Sequence, residues 1–421
     1  MLHALDQAIE RESEAAFDLL EALVAAPSPV GREQAALEVF AAAAERVGLD
    51  VERLPFAAGP VADPRAGVAP PADAVSDERY QVVGRTPGSG PLTLLLNGHI
   101  DVVPATTPTL WTTPPFAPAR RDGRLYGRGA GDMKSGFAVG MLALGALRQV
   151  APDLFAKKRL GFIAVVEEEC TGNGTLRSIT DHGVVADEVV VLEPTGLGLL
   201  TGGVGVLWAD ITVSSPAGHA HAAGSRASAL DLALGLVARL KEWSQELRLS
   251  EPEPGMAGAA DPYVVSVGTL SAGDWISTVP SEARVGVRIG FPRAWTAEQA
   301  EQRLRYAVAC HAARSPFALQ PVVSFTGFRA RGYLLDDDNA LIRDLCEAHR
   351  SAHGRAAESF MLGSTTDARI YLNEFGIPAV CYGATAHAMH GVDESVELDS
   401  IVGAARTLAR FILRRFGEEG R

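Results

Sequence analysis

The order of apolar segments predicts an α/β fold: a mostly parallel sheet with helices on both faces, interrupted by an inserted α+β unit of ferredoxin-like order. Three observations carry this. Residues 92–96, 160–166 and 188–192 are predominantly apolar segments of strand length, as expected of strands buried on both faces. An apolar helical segment, 136–150, lies between the first two. Near residue 206 the order changes to β-α-β-β-α-β, and the α/β alternation returns after about residue 330.

The elements follow in order. Ala4, Ile9, Ala16, Leu19, Leu20 and Leu23 recur at helical spacing, Pro27 and Pro29 end that helix, and residues 32–47 resume it. Residues 57–77 are rich in Ala, Pro and Gly and read as a surface loop. After the three buried strands, residues 206–213 predict a strand and 228–248 a long helix with Leu232, Leu236, Leu240 and Trp243 along one side. Residues 263–270 and 283–289 predict strands. Residues 296–312 predict a helix opened by a Thr296/Gln299 capping box, and 319–325 a last strand. A helix over 340–353, a short strand over 379–382 and a closing helix over 400–416 complete the chain. The expected division is therefore 1–205 with 330–421 as one domain and 206–329 as the insert, two domains being normal for 421 residues.

Composition narrows the function classes. Hydrophobic residues make up 47% of the chain, so a large core can form without metal or disulfide support, and a metal here would serve chemistry. The net charge of -13 and the lack of a Lys/Arg cluster argue against nucleic acid. Cys170, Cys310, Cys346 and Cys381 lie far apart without a CxxC spacing, which fits a reducing compartment. The charged N-terminus lacks the apolar stretch of a signal peptide, and no run suits a membrane span. The expectation is a cytoplasmic protein.

Five segments carry candidate chemistry, each where a strand ends or a turn begins, the edge at which open α/β sheets place their sites. In NGHIDVVP, His99 ends a buried strand, and Asp101 two residues on can accept its other ring N–H. In GRGAGDMKSG, glycines bring Asp132 close to its surroundings; the spacing is neither a Walker nor a dinucleotide loop, and an aspartate there suits a cation. In VVEEECTGNGT, consecutive glutamates abut a buried strand and can divide labour between ligand and base. Glu193 in VVLEPTG ends another buried strand. His387 and His390 in ATAHAMHGVDESV follow the last one. Each segment alone also reads as structural, but jointly two histidines and three carboxylates can hold two divalent metals. His349 and His353, at i and i+4, read as a solvated helix face.

On these motifs, taken in order over essentially the whole length, the chain resembles the di-zinc peptidase and deacylase family. That family includes acetylornithine deacetylase, succinyl-diaminopimelate desuccinylase, aminoacylase and bacterial glutamate carboxypeptidase. The resemblance implies that His99, Asp132, Glu169, Glu193 and His390 are metal ligands. Asp132 would bridge, Glu169 and His390 would hold one metal, and His99 and Glu193 the other. The ions would be zinc, with cobalt or manganese also suited. It further implies Glu168 as the general base, with Glu167 standing where the family has aspartate, and Asp101 as the partner that orients His99.

In the insert, His219 of PAGHAH resembles the histidine that crosses a dimer to polarise the scissile carbonyl. Arg288 of VGVRI resembles the arginine that binds a substrate carboxylate. Gly363 and Thr365 lie in GSTTDAR, which resembles a loop near the site. Ser277 stands where the family's carboxylate-holding asparagine would be, a departure. Cys170, after Glu169, reads as a small buried residue, and His221 and His387 as structural. The resemblance implies a catalytic domain with an inserted lid or dimerisation domain, a homodimer, and hydrolysis of an N-acyl amino acid or similar small N-acyl compound. A dipeptidase or carboxypeptidase of the same family, and a non-catalytic metal-binding member, are the alternatives.

Overall fold

A computed structural model describes residues 1–56, 61–68, 78–216, 218–225, 227–256, 261–314 and 320–417. Most of the expected loop over 57–77 lies outside the described residues. The main sheet has nine strands. Its middle is parallel, in the order Leu160–Val165, Leu94–His99, Val189–Val191, Ala379–Cys381. On one side Tyr80–Arg85 and Asp50–Pro55 extend it antiparallel. On the other, Leu199–Gly203 pairs with Ala379–Cys381, Tyr333–Leu334 and Ser359–Leu362.

The period-2 geometry of a strand sorts the apolar runs onto two faces. Leu94, Leu96, Phe162 and Val190 face a core made with the helices Leu2–Ala25, Gln34–Val47, Ser135–Val150, Ala340–His353 and Leu398–Phe416. Leu95, Ile163, Val189 and Val191 face the other core, with Asn173–Thr180 and Ala368–Phe375. Phe40, Phe137 and Phe162 form a ring cluster with centroids 5.1–5.7 Å apart, contacts of about 0.5–1.5 kcal/mol per pair beyond area burial.

A second sheet of four antiparallel strands runs Val265–Ala272, Glu282–Phe291, Gly205–Ser214, Val322–Ala330. In chain order this is 2-3-1-4, with its own core packed under Ala229–Ser250 and Ala297–Ala312. The capping box forms as expected: Thr296 accepts from the Gln299 N–H, and the Gln299 side chain accepts from the Thr296 N–H. A two-residue pairing, His219 opposite Thr278, joins PAGHAH to the segment that carries Ser277.

Two features were not anticipated. The antiparallel strands Asp50–Pro55 and Tyr80–Arg85 alternate too little to stand out from their surroundings. His349 and His353 do not form a solvated face: His349 is fully buried against the Tyr382 hydroxyl at 2.8 Å, and His353 meets Thr407 at 3.0 Å, because this helix packs against Leu398–Phe416.

Candidate metal centre

The carboxyl ends of three neighbouring parallel strands lie side by side, and each ends in, or leads within two residues to, an imidazole or carboxylate. Leu94–His99 ends in His99, Leu160–Val165 leads to the glutamates at 167–169, and Val189–Val191 to Glu193. The loop with Asp132 is pressed onto this edge from the side. A Cβ on Gly136 would stand 2.4 Å from the Leu192 carbonyl oxygen, so only glycine lets that helix start so near Glu193. His390 arrives on a backbone turned to φ 62°.

These residues meet. Asp132 Oδ1 lies 3.2 Å from His99 Nε2 and its Oδ2 3.2 Å from His390 Nε2. The Glu169 carboxylate is 3.1 Å from His390 Nε2. Glu193 and Glu168 each place an oxygen 3.8 Å from His99 Nε2. His99, Asp132 and Glu169 form one possible cation-holding group, and His99, Glu168 and Glu193 another. All are buried except Glu169 and Asp132, which are partly buried, and His390, which is exposed.

Asp101 acts differently from the expectation. The His99 Nδ1 hydrogen bond goes to the main-chain carbonyl of Asp101 at 3.0 Å, while its carboxylate is 3.8 Å away. A carbonyl can only accept, so Nδ1 carries the proton and Nε2 is left free for a cation. The Asp101 carboxylate instead accepts the N–H groups of Glu168 (3.2 Å) and Glu169 (3.1 Å), holding the glutamate turn in place. Glu167, at φ 63°, turns away: its carboxylate takes Arg79 at 2.5 Å and the Thr171 hydroxyl at 3.1 Å. One short turn thus sends one glutamate to the scaffold and two to the centre.

The centre concentrates negative charge. Burial, and then the charges of Asp367, Glu193 and Glu169, push the Glu168 carboxyl well above its usual range, against the pull of His99. Burial likewise pushes Glu193 up to about 8 and also raises Glu169. Hydrogen bonds to Asp132 and Glu169 drive His390 up to about 11. Burial opposes charge on His99, yet the Asp132 hydrogen bond and the surrounding carboxylates raise it well above an ordinary imidazole. Four carboxylates (Asp132, Glu168, Glu169, Glu193) with two histidines suit divalent ions in charge and donor type.

The remaining predicted residues divide. Thr365 lines the cavity above the centre, its hydroxyl oxygen buried with no partner among the described residues. Arg288 lines it too, donating from Nη2 to the Gly363 carbonyl and the Ser364 hydroxyl, both at 3.0 Å, and burial lowers its pKa. His219 and Ser277 are exposed and adjacent to each other, outside the lining of this cavity. His221 stands beside His219, with ring nitrogens 2.9 Å apart, and His387 binds Glu397 at 2.7 Å. Cys170 is buried and free.

Three supporting residues escaped the sequence reading. Glu394 Oε1 accepts the N–H groups of Gly131 and Asp132, both at 2.9 Å, and its Oε2 takes Arg128 at 2.5 Å. Arg128 also donates to the His390 carbonyl at 3.2 Å. Asp367 accepts the Thr175 hydroxyl at 2.7 Å, in a network reaching Asn97 and Tyr371. Glu394 and Arg128 sit inside motifs already singled out, four residues from His390 and Asp132 respectively, and that proximity was the available signal.

Solved structures share this fold. The di-peptidase Dug1p of Saccharomyces cerevisiae matches with TM-score 0.77 at 15% identity, covering 98% of each chain. Human carnosine dipeptidase 1 matches at 0.76 and 16%, again over 98% of each. The YXEP protein of Bacillus subtilis, described as a dinuclear metal binding peptidase, matches at 0.62 and 15%, over 97% of this chain and 99% of that one. The model of peptidase family M20/M25/M40 matches residues 95–414, most of the chain and the whole centre, and the protein belongs to this family of metal-dependent hydrolases.

Proposed function

We propose that the protein is a two-metal amidohydrolase that deacylates an N-acyl amino acid or a similar small N-acyl compound. The observation that carries this reading is Asp132, whose two oxygens each face a different imidazole at 3.2 Å. That is the geometry of a carboxylate shared between two cations. Glu169 and His390 would hold one ion, and His99 and Glu193 the other. Zinc is the proposed metal, with cobalt or manganese also compatible. Bound divalent ions supply Lewis acidity toward the carbonyl and bring the ionisation of a water toward ~pH 7.

Glu168 is the base in this scheme. Its buried carboxylate, one oxygen 3.8 Å from His99 Nε2 at the edge of the cavity, is placed to take a proton from the attacking water and return it to the leaving amine nitrogen. Arg288 binds a substrate carboxylate, next to Gly363 and Thr365. His219, exposed and remote from its own cavity, serves the carbonyl oxygen in the cavity of a second copy, with Ser277 beside it. The chain accordingly works as a homodimer, residues 1–205 with 330–421 forming the catalytic unit and 206–329 the lid and dimerisation unit. The outer edge of Val265–Ala272, unpaired among the described residues, and the exposed Trp275 and Ile276 support that surface. The four free thiols accord with a cytoplasmic setting; no helix among the described residues is long and apolar enough to cross a membrane.

A second reading, a dipeptidase or carboxypeptidase, draws support from the two dipeptidases of like fold, and Arg288 would hold the carboxylate in either case. Hydrolysis of acetyl- and succinyl-amino acids against dipeptides by the zinc-loaded protein separates the two. Glu168→Gln should abolish turnover and leave metal content intact; wild-type rates in that variant would remove Glu168 from the mechanism. A non-catalytic member would hydrolyse nothing in the panel while still loading metal.

A further inference from the structure

The cavity over the centre, about 400 Å³, is chemically lopsided. Its floor holds the carboxylates and His390, whereas its walls are largely apolar. From the second sheet come Trp208 and Phe328, packed edge to face with centroids 5.3 Å apart. From the main sheet come Phe360 and Leu362, two residues apart on one strand and so on one side of it. Met389 closes the wall beside His390. Phe360, Leu362 and Met389 are 37–47% exposed. Large apolar side chains left open to water around one cavity mark a binding surface rather than a core.

Arg288 stands within this wall. Its register partner on the neighbouring strand is Trp208, and opposed side chains on an antiparallel pair share a face with Cβ atoms ~4.5–5.5 Å apart. Arg288 pairs with no carboxylate among the described residues; its hydrogen bonds go to Gly363 and Ser364. A half-buried guanidinium without a counter-charge, beside an indole, is a place for an anion whose neighbouring atoms are apolar.

We infer that the cavity selects substrates in which the residue carrying the free carboxylate also carries a bulky apolar side chain, aromatic or branched aliphatic. The carboxylate lies on Arg288, and the side chain lies against Trp208 and Phe328. This rests on the amidohydrolase reading above. A charged side chain at that position would lose its water without gaining a partner. A small one would leave the partly exposed Trp208 indole uncovered.

The test has two arms. In the first, kcat/KM is measured for the zinc-loaded protein with the N-acetyl derivatives of Phe, Leu, Ala, Asp and Lys. Phe and Leu should exceed Ala by about 10-fold or more, the scale set by a few methylenes in an apolar pocket, with Asp and Lys below Ala. Trp208→Ala should narrow the Phe-to-Ala ratio by about the same factor, and Trp208→Leu, which keeps an apolar filler, should narrow it less. Arg288→Ala should lower all five together. In the second arm, calorimetry follows N-acetyl-Phe and N-acetyl-Ala binding to zinc-loaded Glu168→Gln, which does not depend on turnover. If nothing is hydrolysed but Phe still binds tighter than Ala, deacylation of these compounds is overturned, and only the cavity's preference among bound carboxylates is upheld. Equal binding, or a Phe-to-Ala ratio unchanged in both Trp208 variants, overturns the inference.

Discussion

Removing the Glu394 carboxylate should loosen the candidate metal centre without touching any proposed metal ligand. Glu394 is fully buried, and Arg128 is 3% exposed. One carboxylate oxygen holds the N–H groups of Gly131 and Asp132, and the other neutralises Arg128, which holds the His390 carbonyl. A single ion pair therefore ties together the two loops that deliver Asp132 and His390. Glu394→Ala strands a buried guanidinium and two backbone donors, and breaking such a pair from one side costs ~3–5 kcal/mol. Glu394→Gln keeps an oxygen for the two N–H groups and should cost about 1–3 kcal/mol. Because the damage falls on how ligands are held, metal affinity should drop ~10–100-fold even in the milder variant. Urea unfolding of the chelator-stripped protein reads the first effect, and zinc titration with a competing chelator reads the second. Replacing both partners by apolar residues, as in Arg128→Met with Glu394→Leu, should recover stability relative to Glu394→Ala but not zinc affinity. Should Glu394→Gln bind two zinc ions as tightly as wild type, the clamp has no part in holding the centre.

Other perturbations address separate links. Asp101→Asn removes one of the two oxygens that hold the Glu168 and Glu169 N–H groups, and should lower kcat by about 10–100-fold while the protein stays folded; an unchanged kcat would mean the turn holds itself. Stripping metal should lower the melting temperature and zinc should restore it, since the crowded carboxylates repel without cations; equal melting temperatures with and without zinc would count against the centre. His349 gives a pH signature. Burial presses its pKa from the ordinary 6.5 down to about 4, so the folded state favours the neutral ring. Its contribution is complete above about pH 6.5 and is lost as pH falls toward 4. Urea midpoints at pH 7.5 and 5 should fall less for His349→Gln than for wild type, and an identical fall in both would place the acid sensitivity elsewhere.

The middle of the fold was legible because strands buried on two faces must be apolar throughout. Residues 160–166 and 188–192 have no other economical reading, and both appear within a residue or two of their expected ends. The edges were not legible. Asp50–Pro55 shows solvent to nearly every side chain, so its sequence carries no alternation to detect. The error at His349 and His353 has a similar root: helical spacing says which residues share a face, not whether another helix will cover it. Thr407 on the closing helix decides that, more than fifty residues away.

At the centre the boundary between readable and unreadable residues follows the backbone. The meeting of His99, Glu168, Glu169 and Glu193 was legible because a chain leaving a buried strand must expose its next residues at the sheet edge, and charge there stands out against the apolar run. Asp101 was placed beside His99 on sound grounds, yet a two-residue spacing cannot tell whether the ring meets the side chain or the main chain; the Glu168 and Glu169 N–H groups compete for the carboxylate and take it. Glu394, Arg128 and Trp208 belong to a further class. They matter only through partners on other segments, and spacing along the chain does not encode which segments meet. The Glu394–Arg128 tie between the two loops and the pairing of Trp208 with Arg288 therefore belong to tertiary structure, while the clustering of charge at the strand ends is written locally.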